Sequence, residues 1–436
     1  MSRNTEYLER GKRRIPGLTQ LLSKRPDQFA PGVWPTYFSK AHGTEVWDLD
    51  GRKYTDMSIS GIGANILGYC DADVDAAVMQ CVRDGNSSSL NAPEDVELAE
   101  LLCNMHPWAD KVRYTRSGGE AMTVAVRIVR AATGRDRIAF CGYHGWSDWY
   151  LAANLTSDES LTEHLLPGLS PLGVPKGLQG TALPFRYNKI EELKAIFDKY
   201  PGEVAAVVME PLRNEMPEPG FLQEVKALAK AAGAVLVFDE VSAGFRLNTG
   251  GSHLLLGVEP DVAVFAKAMS NGYPMAAIVG RGEVMDAVER TFISSTYWTD
   301  RIGPVAALAT IRKHQRDNVA AHLSMIGKAV QDVWTQAAAE AGLEIHVYGI
   351  HPMSHFGFDG GDAQAKMTFY VQEMLKHGIL ASNRFYANFA QQMTHVEQFA
   401  AATRSVFKDI ARLAPQGPMA PHLTGGVSRP GFHRLN

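Results

Sequence analysis

Short apolar runs rich in β-branched residues alternate with amphipathic stretches through the middle of the chain. The runs predict buried strands at residues 111–115, 137–141, 205–209, 234–239, 262–266 and 276–279. Apolar side chains spaced i, i+3 and i+4 predict helices between them, at residues 120–132, 189–199 and 222–232. This alternation is typical of an α/β domain with a mostly parallel sheet. We therefore assign residues 70–315 to one large α/β domain.

The two flanks of this domain carry different patterns. Residues 44–49 and 53–56 predict a β-hairpin that turns at Asp50-Gly51. Beyond residue 316, the periodicity predicts long helices at 319–341 and 363–377, with extended pieces between and after them. We expect these two ends to pack together as a smaller domain, formed by residues 1–69 and 316–436. A stretch rich in Pro and Gly, residues 415–433, is expected to be a tail.

Composition excludes several classes of protein. With 436 residues and 45% hydrophobic side chains, the chain is long enough to bury a sizeable core. The formal net charge of −4 gives no general attraction for nucleic acid or an anionic membrane. The four cysteines lack CxxC spacing and the histidines are not clustered, so we expect neither a metal site nor disulfides. The charged N-terminus and the lack of a long apolar run favour a cytoplasmic protein without a membrane span.

Polar or aromatic residues follow the ends of two predicted strands. Ser117-Gly118-Gly119 comes after the strand at 111–115 and before a helix, an arrangement that directs backbone N–H groups at a phosphate. Taken alone, this motif is more often a plain helix cap. Tyr143 follows the strand at 137–141 and stands between two glycines, so its ring could stack on a flat ligand. A surface turn is the alternative.

Charged residues follow three more predicted strands. Asp239 ends an apolar strand, where a buried carboxylate requires a positive partner, although a turn cap would also explain it. Glu210 stands at the end of the strand at 205–209 in the same way. Lys267 follows the strand at 262–266, and a lysine at the inner end of an apolar strand is usually paired or reactive. Desolvation lowers the pKa of such an amine and makes it a nucleophile.

One ligand accounts for all five strand ends. The carboxyl ends of parallel strands form the ligand-binding edge of an open α/β sheet. A lysine amine condenses with an aldehyde, a carboxylate keeps a ring nitrogen protonated, an aromatic ring stacks, and backbone amides hold a phosphate. These properties together describe pyridoxal 5′-phosphate. The sequence therefore predicts an enzyme that binds this cofactor, with Lys267 and Asp239 as its catalytic residues.

The chain resembles the class III aminotransferases of fold type I, and most closely the branch around glutamate-1-semialdehyde 2,1-aminomutase. The resemblance extends from the GTEVWDLDG segment at residue 43 to the last helix. Its most specific motifs are RSGGEA (116–121), YHGW (143–146), EPLRNE (210–215), VFDEVSAGFRL (237–247) and FAKAMSNGYPMAAIVG (265–280). It implies a large domain with a mostly parallel seven-stranded sheet between helices, and a smaller α+β domain built from both chain ends.

The resemblance also implies roles for individual residues. Lys267 and Asp239 fall where the family places the Schiff-base lysine and the partner of the pyridinium nitrogen. Thr296 matches the threonine that family dimers donate to the phosphate of the partner site, with Thr299 as the alternative, so a homodimer is implied. The other implied cofactor contacts are Ser117, Gly118 and Gly119 at the phosphate, Tyr143 and Val241 on the two ring faces, and His144, Glu210 and Asn214.

Three departures separate this chain from the aminomutase branch. The substrate-binding arginine near the N-terminus is missing from residues 17–22, the family asparagine is replaced by the shifted pair Asn214-Glu215, and Tyr386 replaces a glutamate. The substrate pocket is therefore expected to differ. Arg384 is a candidate for binding a carboxylate or phosphate of the substrate, although a surface ion pair is the alternative. Weaker candidates for lining the pocket are Gln20, Arg116, Trp146 and Trp298.

These observations favour an aminotransferase that works by a ping-pong mechanism through a Lys267 Schiff base. Its partners would be an amino donor and a keto or aldehyde acceptor. The main alternative is an intramolecular 1,2-aminomutase, which uses the same residues without an external donor. A decarboxylase or racemase on the same fold, and a regulatory protein that holds the cofactor without catalysis, are further alternatives. The sequence does not identify the acceptor.

Overall fold

A computed structural model describes residues 2–157, 159–165, 167–212, 215–429 and 431. The chain divides into two compact units. Unit 1 consists of Met1–Asp71 together with Ala321–Asn436, and unit 2 consists of Ala72–Ala320. The sequence places the corresponding boundaries at 69/70 and 315/316. No helix in the described part of the chain is both long and apolar enough to cross a membrane.

The elements follow in chain order. The strands are β1 (Phe38–His42), β2 (Glu45–Asp48), β3 (Lys53–Asp56), β4 (Lys111–Thr115), β5 (Arg137–Cys141), β6 (Ala182–Pro184), β7 (Val204–Met209), β8 (Val235–Asp239), β9 (Val262–Phe265), β10 (Ala276–Gly280), β11 (Ile345–Ile350), β12 (Met353–Phe358), β13 (Ile379–Leu380) and β14 (Arg384–Tyr386). The helices are α1 (Arg3–Arg14), α2 (Ala72–Asp84), α3 (Pro93–Met105), α4 (Gly118–Thr133), α5 (Asp148–Leu151), α6 (Ile190–Lys199), α7 (Phe221–Ala231), α8 (His253–Leu256), α9 (Gly282–Met285), α10 (Ile302–Arg316), α11 (Val319–Ala341), α12 (Ala363–Lys376) and α13 (Met393–Leu413).

Unit 2 is built on a seven-stranded sheet with the order β4-β10-β9-β8-β7-β5-β6. Strand β10 runs antiparallel to both of its neighbours, β4 and β9. The other neighbouring pairs are parallel. The carboxyl ends of β4, β5, β7, β8 and β9 therefore lie along one edge, which confirms the predicted mostly parallel sheet. The short strand β6 has no counterpart in the sequence prediction, because three residues are too few for a periodic pattern.

The two faces of this sheet are covered by helices. In β8, Val235 and Val237 pack into one apolar cluster, whereas Leu236 and Phe238 pack into the other. This follows from the alternation of side chains along a strand. Helix α4 contributes buried residues to the first cluster, and α6 and α7 contribute to the second. A strand buried on both faces must be apolar throughout, which is why the central strands are uninterrupted apolar runs.

Unit 1 joins the two ends of the chain in one sheet. Strands β1, β2 and β3 form an antiparallel meander, and the β2–β3 hairpin turns through Asp50 and Gly51, the latter with a φ of 83°. Strand β13, from the C-terminal half, pairs in parallel with β3. A second sheet of unit 1 has the order β11-β12-β14. The predicted hairpin is present at nearly the predicted residues.

The prediction of extended pieces after the second long helix was wrong for residues 393–413, which form α13. Its buried residues recur at helical spacing: Val396, Phe399, Ala400, Thr403, Val406, Phe407 and Ile410. The helical pattern was therefore present in the sequence. The following tail packs against unit 1, because Met419 is fully buried and the Ser428 amide donates to the hydroxyl of Thr368 at 3.0 Å.

Candidate active site

Lys267 lies two residues after the end of β9, in a backbone conformation that is unusual for a side chain of its size. Its φ is 45°, in the left-handed region that costs a non-glycine residue free energy. Such strain is retained mostly at functional sites. Burial lowers the pKa of the Lys267 amine, and the negative charges of Asp239 and Glu210 act against this effect. The amine donates a hydrogen bond to the hydroxyl oxygen of Ser242 at 2.7 Å.

Asp239, the last residue of β8, is buried and forms a pair with His144. Its Oδ2 lies 2.8 Å from Nδ1 of His144. The other ring nitrogen of His144 lies 3.0 Å from the carbonyl oxygen of Cys141. The second carboxylate oxygen, Oδ1, accepts the N–H of Val241 at 3.0 Å. The side chain that faces Asp239 is therefore a histidine from the segment after β5.

The turn between β4 and α4 begins with Ser117 as the helix cap. The Ser117 hydroxyl donates to a carboxylate oxygen of Glu120 at 3.1 Å, and the Glu120 amide donates back to that hydroxyl at 3.4 Å. Gly118 and Gly119 then form the first turn of the helix. A Cβ on Gly118 would lie 2.9 Å from Cγ1 of Val241, so the turn and Val241 are in close contact. A side chain at residue 118 would require Val241 to shift.

The segment after β5 packs against the same turn. Gly145 has a φ of 98°, and a Cβ there would lie 3.1 Å from Cα of Gly119. The indole nitrogen of Trp146 would lie 3.1 Å from a Cβ on Gly119. The backbone N–H of Tyr143 donates to Oε2 of Glu210 at 3.3 Å. Burial raises the pKa of the Tyr143 phenol. Residues from the ends of β4, β5, β7, β8 and β9 thus form one site in unit 2.

Four more predicted residues of unit 2 lie beside the start of α4 or in an exposed turn, and a fifth lies outside the described residues. Thr296 and Thr299 lie in an exposed short 3₁₀ turn, where the Thr299 hydroxyl donates to the Thr296 carbonyl at 2.7 Å. Trp298, in the same turn, donates to Glu120 at 3.4 Å. Arg116 bonds Asp300 through both its Nε and its Nη2. Asn214 lies outside the described residues.

Arg384 and Gln20 belong to unit 1. Arg384 begins β14, opposite His355 of β12. Its half-buried guanidinium forms no ion pair with any residue that the structure describes, and its Nε is buried without a hydrogen-bond partner there. The surface ion pair considered from the sequence is thus not observed. Gln20 is exposed in the bend after α1.

Sequence reasoning missed Ser242, which contacts the Lys267 amine. Ser242 lies within the VFDEVSAGFRL motif, but no local signal gives it a role, because its partner is 25 residues away along the chain. Arg246 was missed too, and its buried positive charge lowers the pKa of Lys267 further. These contacts depend on how the turns after β8 and β9 meet in space.

The sequence and the fold of this chain are similar to those of known proteins. Residues 29–383 match the aminotransferase class-III family. The chain is 32% identical to the 2'-deamino-2'-hydroxyneamine transaminase of Streptomyces kanamyceticus, over 92% of this chain and 97% of that protein. It is 34% identical to a glutamate-1-semialdehyde 2,1-aminomutase of Anaeromyxobacter dehalogenans, over 88% of this chain and 93% of that protein. Its fold matches the pyridoxal-phosphate internal-aldimine form of the FumI protein of Sphingopyxis sp. MTA144 with a TM-score of 0.86 at 26% identity, over 97% and 100% of the two chains.

The chain therefore belongs to the class III aminotransferases. It is a fold type I enzyme that uses pyridoxal 5′-phosphate, so the predicted family, fold and cofactor are confirmed. The residues in unit 2 fit this cofactor. They supply a half-buried amine, a buried carboxylate paired with a histidine, and a glycine cradle at the N-terminus of α4 that a Cβ on Gly118 would fill.

Proposed function

We propose that this enzyme transfers an amino group from an amino donor to a keto or aldehyde acceptor, with Lys267 as the lysine that binds the cofactor and moves the proton. When bound, pyridoxal 5′-phosphate supplies an aldehyde that condenses with amines and a ring that withdraws electrons. The observation that carries the proposal is the strained, half-buried Lys267, whose pKa is lowered by desolvation against the opposing charges of Asp239 and Glu210. A lysine with a lowered pKa is deprotonated more readily and can accept a proton from a substrate carbon.

The other residues hold and orient the cofactor in this proposal. Asp239 would face the ring nitrogen and keep it protonated, and His144 would hold Asp239 in place from behind, through the 2.8 Å contact. The N–H groups at the start of α4 would bind the phosphate, where the helix dipole favours an anion. Tyr143 and Val241 would cover the two faces of the ring. Glu210 would fix the Tyr143 segment through the backbone N–H of that residue.

Arg384 is proposed to bind an anionic group of the substrate. The Arg384 guanidinium has no ion-pair partner among the described residues, and its buried Nε lacks an acceptor. Binding a carboxylate would give this group the hydrogen bonds and the opposite charge that it lacks. This supports donors or acceptors that carry a carboxylate. Trp146, whose side chain is 70% exposed, remains a weaker candidate for the pocket, as does Gln20.

A homodimer is proposed as the active form. Unit 2 exposes large apolar side chains at Leu90, Phe292 and Tyr297, each with about four fifths of its surface accessible (83%, 84% and 79%). Where such exposed apolar side chains form a contiguous patch, the patch typically marks an interface. Thr296 or Thr299, from the same exposed stretch, would then contact the phosphate of the partner site. A cytoplasmic location also remains a prediction.

The second candidate is an intramolecular 1,2-aminomutase, which the 34% identity to an aminomutase favours. The two reactions differ in their need for an external donor. An aminotransferase consumes one amino donor for each acceptor that it aminates, whereas an aminomutase starting from the aminated cofactor requires none. The three departures at residues 17–22, 214–215 and 386 favour the transferase.

The test is a screen of keto acids and aldehydes against glutamate, alanine and simple amines, followed by the absorbance change of the bound cofactor. We expect a donor-dependent keto product and conversion of the cofactor in each half-reaction. The Lys267→Ala variant is the control and should bind cofactor without turnover. Turnover of an amino aldehyde without any donor would favour the aminomutase, and full activity of Lys267→Ala would overturn both.

A further inference from the structure

The hydroxyl of Ser242 is the partner of the lysine on which the proposed function rests. The Lys267 amine lies 2.7 Å from Oγ of Ser242. Among the residues that the structure describes, this is the only hydrogen bond of that amine, and it is also the only one of the Ser242 hydroxyl. The contact links the turn after β8 to the turn after β9. The family assignment gives Ser242 no function.

The backbone fixes Ser242 in this position. The carbonyl of Ser242 accepts a hydrogen bond from Nε of Arg246 at 3.2 Å, and Arg246 is itself buried. The amide of Gly244 donates to the carbonyl of Glu240 at 2.8 Å, and a Cβ on Gly244 would lie 2.7 Å from that oxygen. These contacts hold the backbone of the turn, which presents the Ser242 hydroxyl to the lysine.

Charged groups of both signs act on the Lys267 amine, so its hydrogen-bond partner should carry no charge of its own. Asp239 and Glu210 act on the amine with negative charge, and Arg246 acts on it with positive charge. A hydroxyl can accept a hydrogen bond from a protonated amine and can donate one to a neutral amine. Ser242 can therefore stay bonded to Lys267 while the lysine gains and loses a proton.

The hydrogen bond between Ser242 and Lys267 requires the lysine to be a free amine that is not bonded to the cofactor. When an amine condenses with an aldehyde, one C=N bond forms, one water leaves, and the nitrogen gives up both hydrogens of the neutral amine. In the holoenzyme the Lys267 nitrogen would be held by such a bond to the cofactor. It would then lack the two N–H donors that the free neutral amine can turn toward Ser242. A hydroxyl that bonds the free amine therefore stabilises the lysine in the part of the reaction in which substrate has displaced it.

We propose that Ser242 is a positioning residue that holds Lys267 as a free amine after the donor has displaced it from the cofactor, and keeps it in place for proton transfer. This inference rests on the proposed role of Lys267. It predicts that Ser242 shifts the equilibrium of the first half-reaction, from aldehyde cofactor and donor toward aminated cofactor and keto product. One net hydrogen bond corresponds to about two- to tenfold in that equilibrium constant.

The experiment measures that equilibrium constant by absorbance in the holoenzyme, with one donor and its keto product at varied ratios. Ser242→Ala should shift the constant about two- to tenfold toward the aldehyde form, and Ser242→Thr, which keeps a hydroxyl, should restore it. Ser270→Ala is the matched control. It removes a buried hydroxyl from the turn after β9 that bonds the Tyr273 carbonyl at 2.6 Å and not the lysine. It should leave the constant unchanged.

The outcomes separate this inference from the proposed function. An unchanged constant in Ser242→Ala, with normal cofactor binding and thermal stability, would overturn the role of Ser242 and leave that of Lys267 intact. An equal shift in Ser270→Ala would also overturn it, because the effect would then be structural. If the unmodified enzyme shows no half-reaction and Lys267→Ala behaves in the same way, the proposed function itself fails.

Discussion

His144 bridges Asp239 and the backbone of β5. Its Nδ1 lies 2.8 Å from Oδ2 of Asp239 and its Nε2 lies 3.0 Å from the carbonyl oxygen of Cys141. The ring therefore joins the Asp239 carboxylate to the backbone at the end of β5 and holds that carboxylate in place at the edge of the sheet.

Replacing His144 should weaken the enzyme through Asp239. We expect His144→Gln, whose single amide nitrogen cannot replace both ring nitrogens at their separate contacts, to lower kcat/KM about ten- to hundredfold, the size of one hydrogen bond to a charged group. The measurement is steady-state kinetics with the best donor and acceptor, together with cofactor affinity by absorbance. His377→Gln, at an exposed histidine, is the control. Activity within twofold of the unmodified enzyme would show that Asp239 does not need this partner.

A side chain at residue 118 should displace Val241. A Cβ on Gly118 would lie 2.9 Å and 3.2 Å from the two methyl carbons of Val241, closer than normal van der Waals contact. We expect Gly118→Ala to reduce cofactor affinity about tenfold or more, because both residues belong to the proposed cofactor site. Replacing Val241 with alanine removes the two methyl carbons that the new Cβ would meet. The double variant Gly118→Ala/Val241→Ala should therefore bind cofactor better than Gly118→Ala alone. Equal affinities of the single and double variants would refute the contact.

The stability of the protein should fall in mild acid because of two buried histidines. Burial is the main cause that lowers the pKa of His106 and of His314 from 6.5 to about 4. Nε2 of His106 accepts the N–H of Gly251 at 3.0 Å, so this nitrogen cannot carry a proton in the folded state. Between pH 6.5 and about 4 the unfolded chain binds protons at these residues and the folded chain does not.

The free energy of unfolding should therefore decrease as the pH falls through this window, by about 3 kcal/mol for each histidine. Urea unfolding at a series of pH values measures it. The variant His106→Asn should show a flatter dependence than the unmodified protein, although it is less stable at pH 7. The exposed control His377→Gln should retain the full slope. A stability that stays constant from pH 7 to pH 4 would contradict this account.

Much of the large unit could be predicted from sequence because its strands are buried on both faces and read as apolar runs. Strands β4 and β5 have the predicted bounds, and β9 ends one residue earlier than predicted. The residues that follow such strands share one edge, which is why Asp239 and Lys267 could be placed near each other without an alignment. Helix α11 was also predicted at its observed bounds.

Contacts between turns could not be predicted. The pairing of Ser242 with Lys267, and the packing of Trp146 over Gly119, depend on the distance between segments that are remote in the chain. No periodicity encodes such distances. Helix α13 differs from these contacts, because its buried residues recur at regular helical spacing and are visible in the sequence.

The central claim is that Lys267 is the residue that binds the cofactor. The most direct test is to incubate the enzyme with pyridoxal 5′-phosphate, reduce it with borohydride to convert the C=N bond into a stable amine, and map the modified peptide by mass spectrometry. We predict one modified residue, Lys267, and no modification in Lys267→Ala. A label on another lysine, or equal labelling of the variant, would contradict the account.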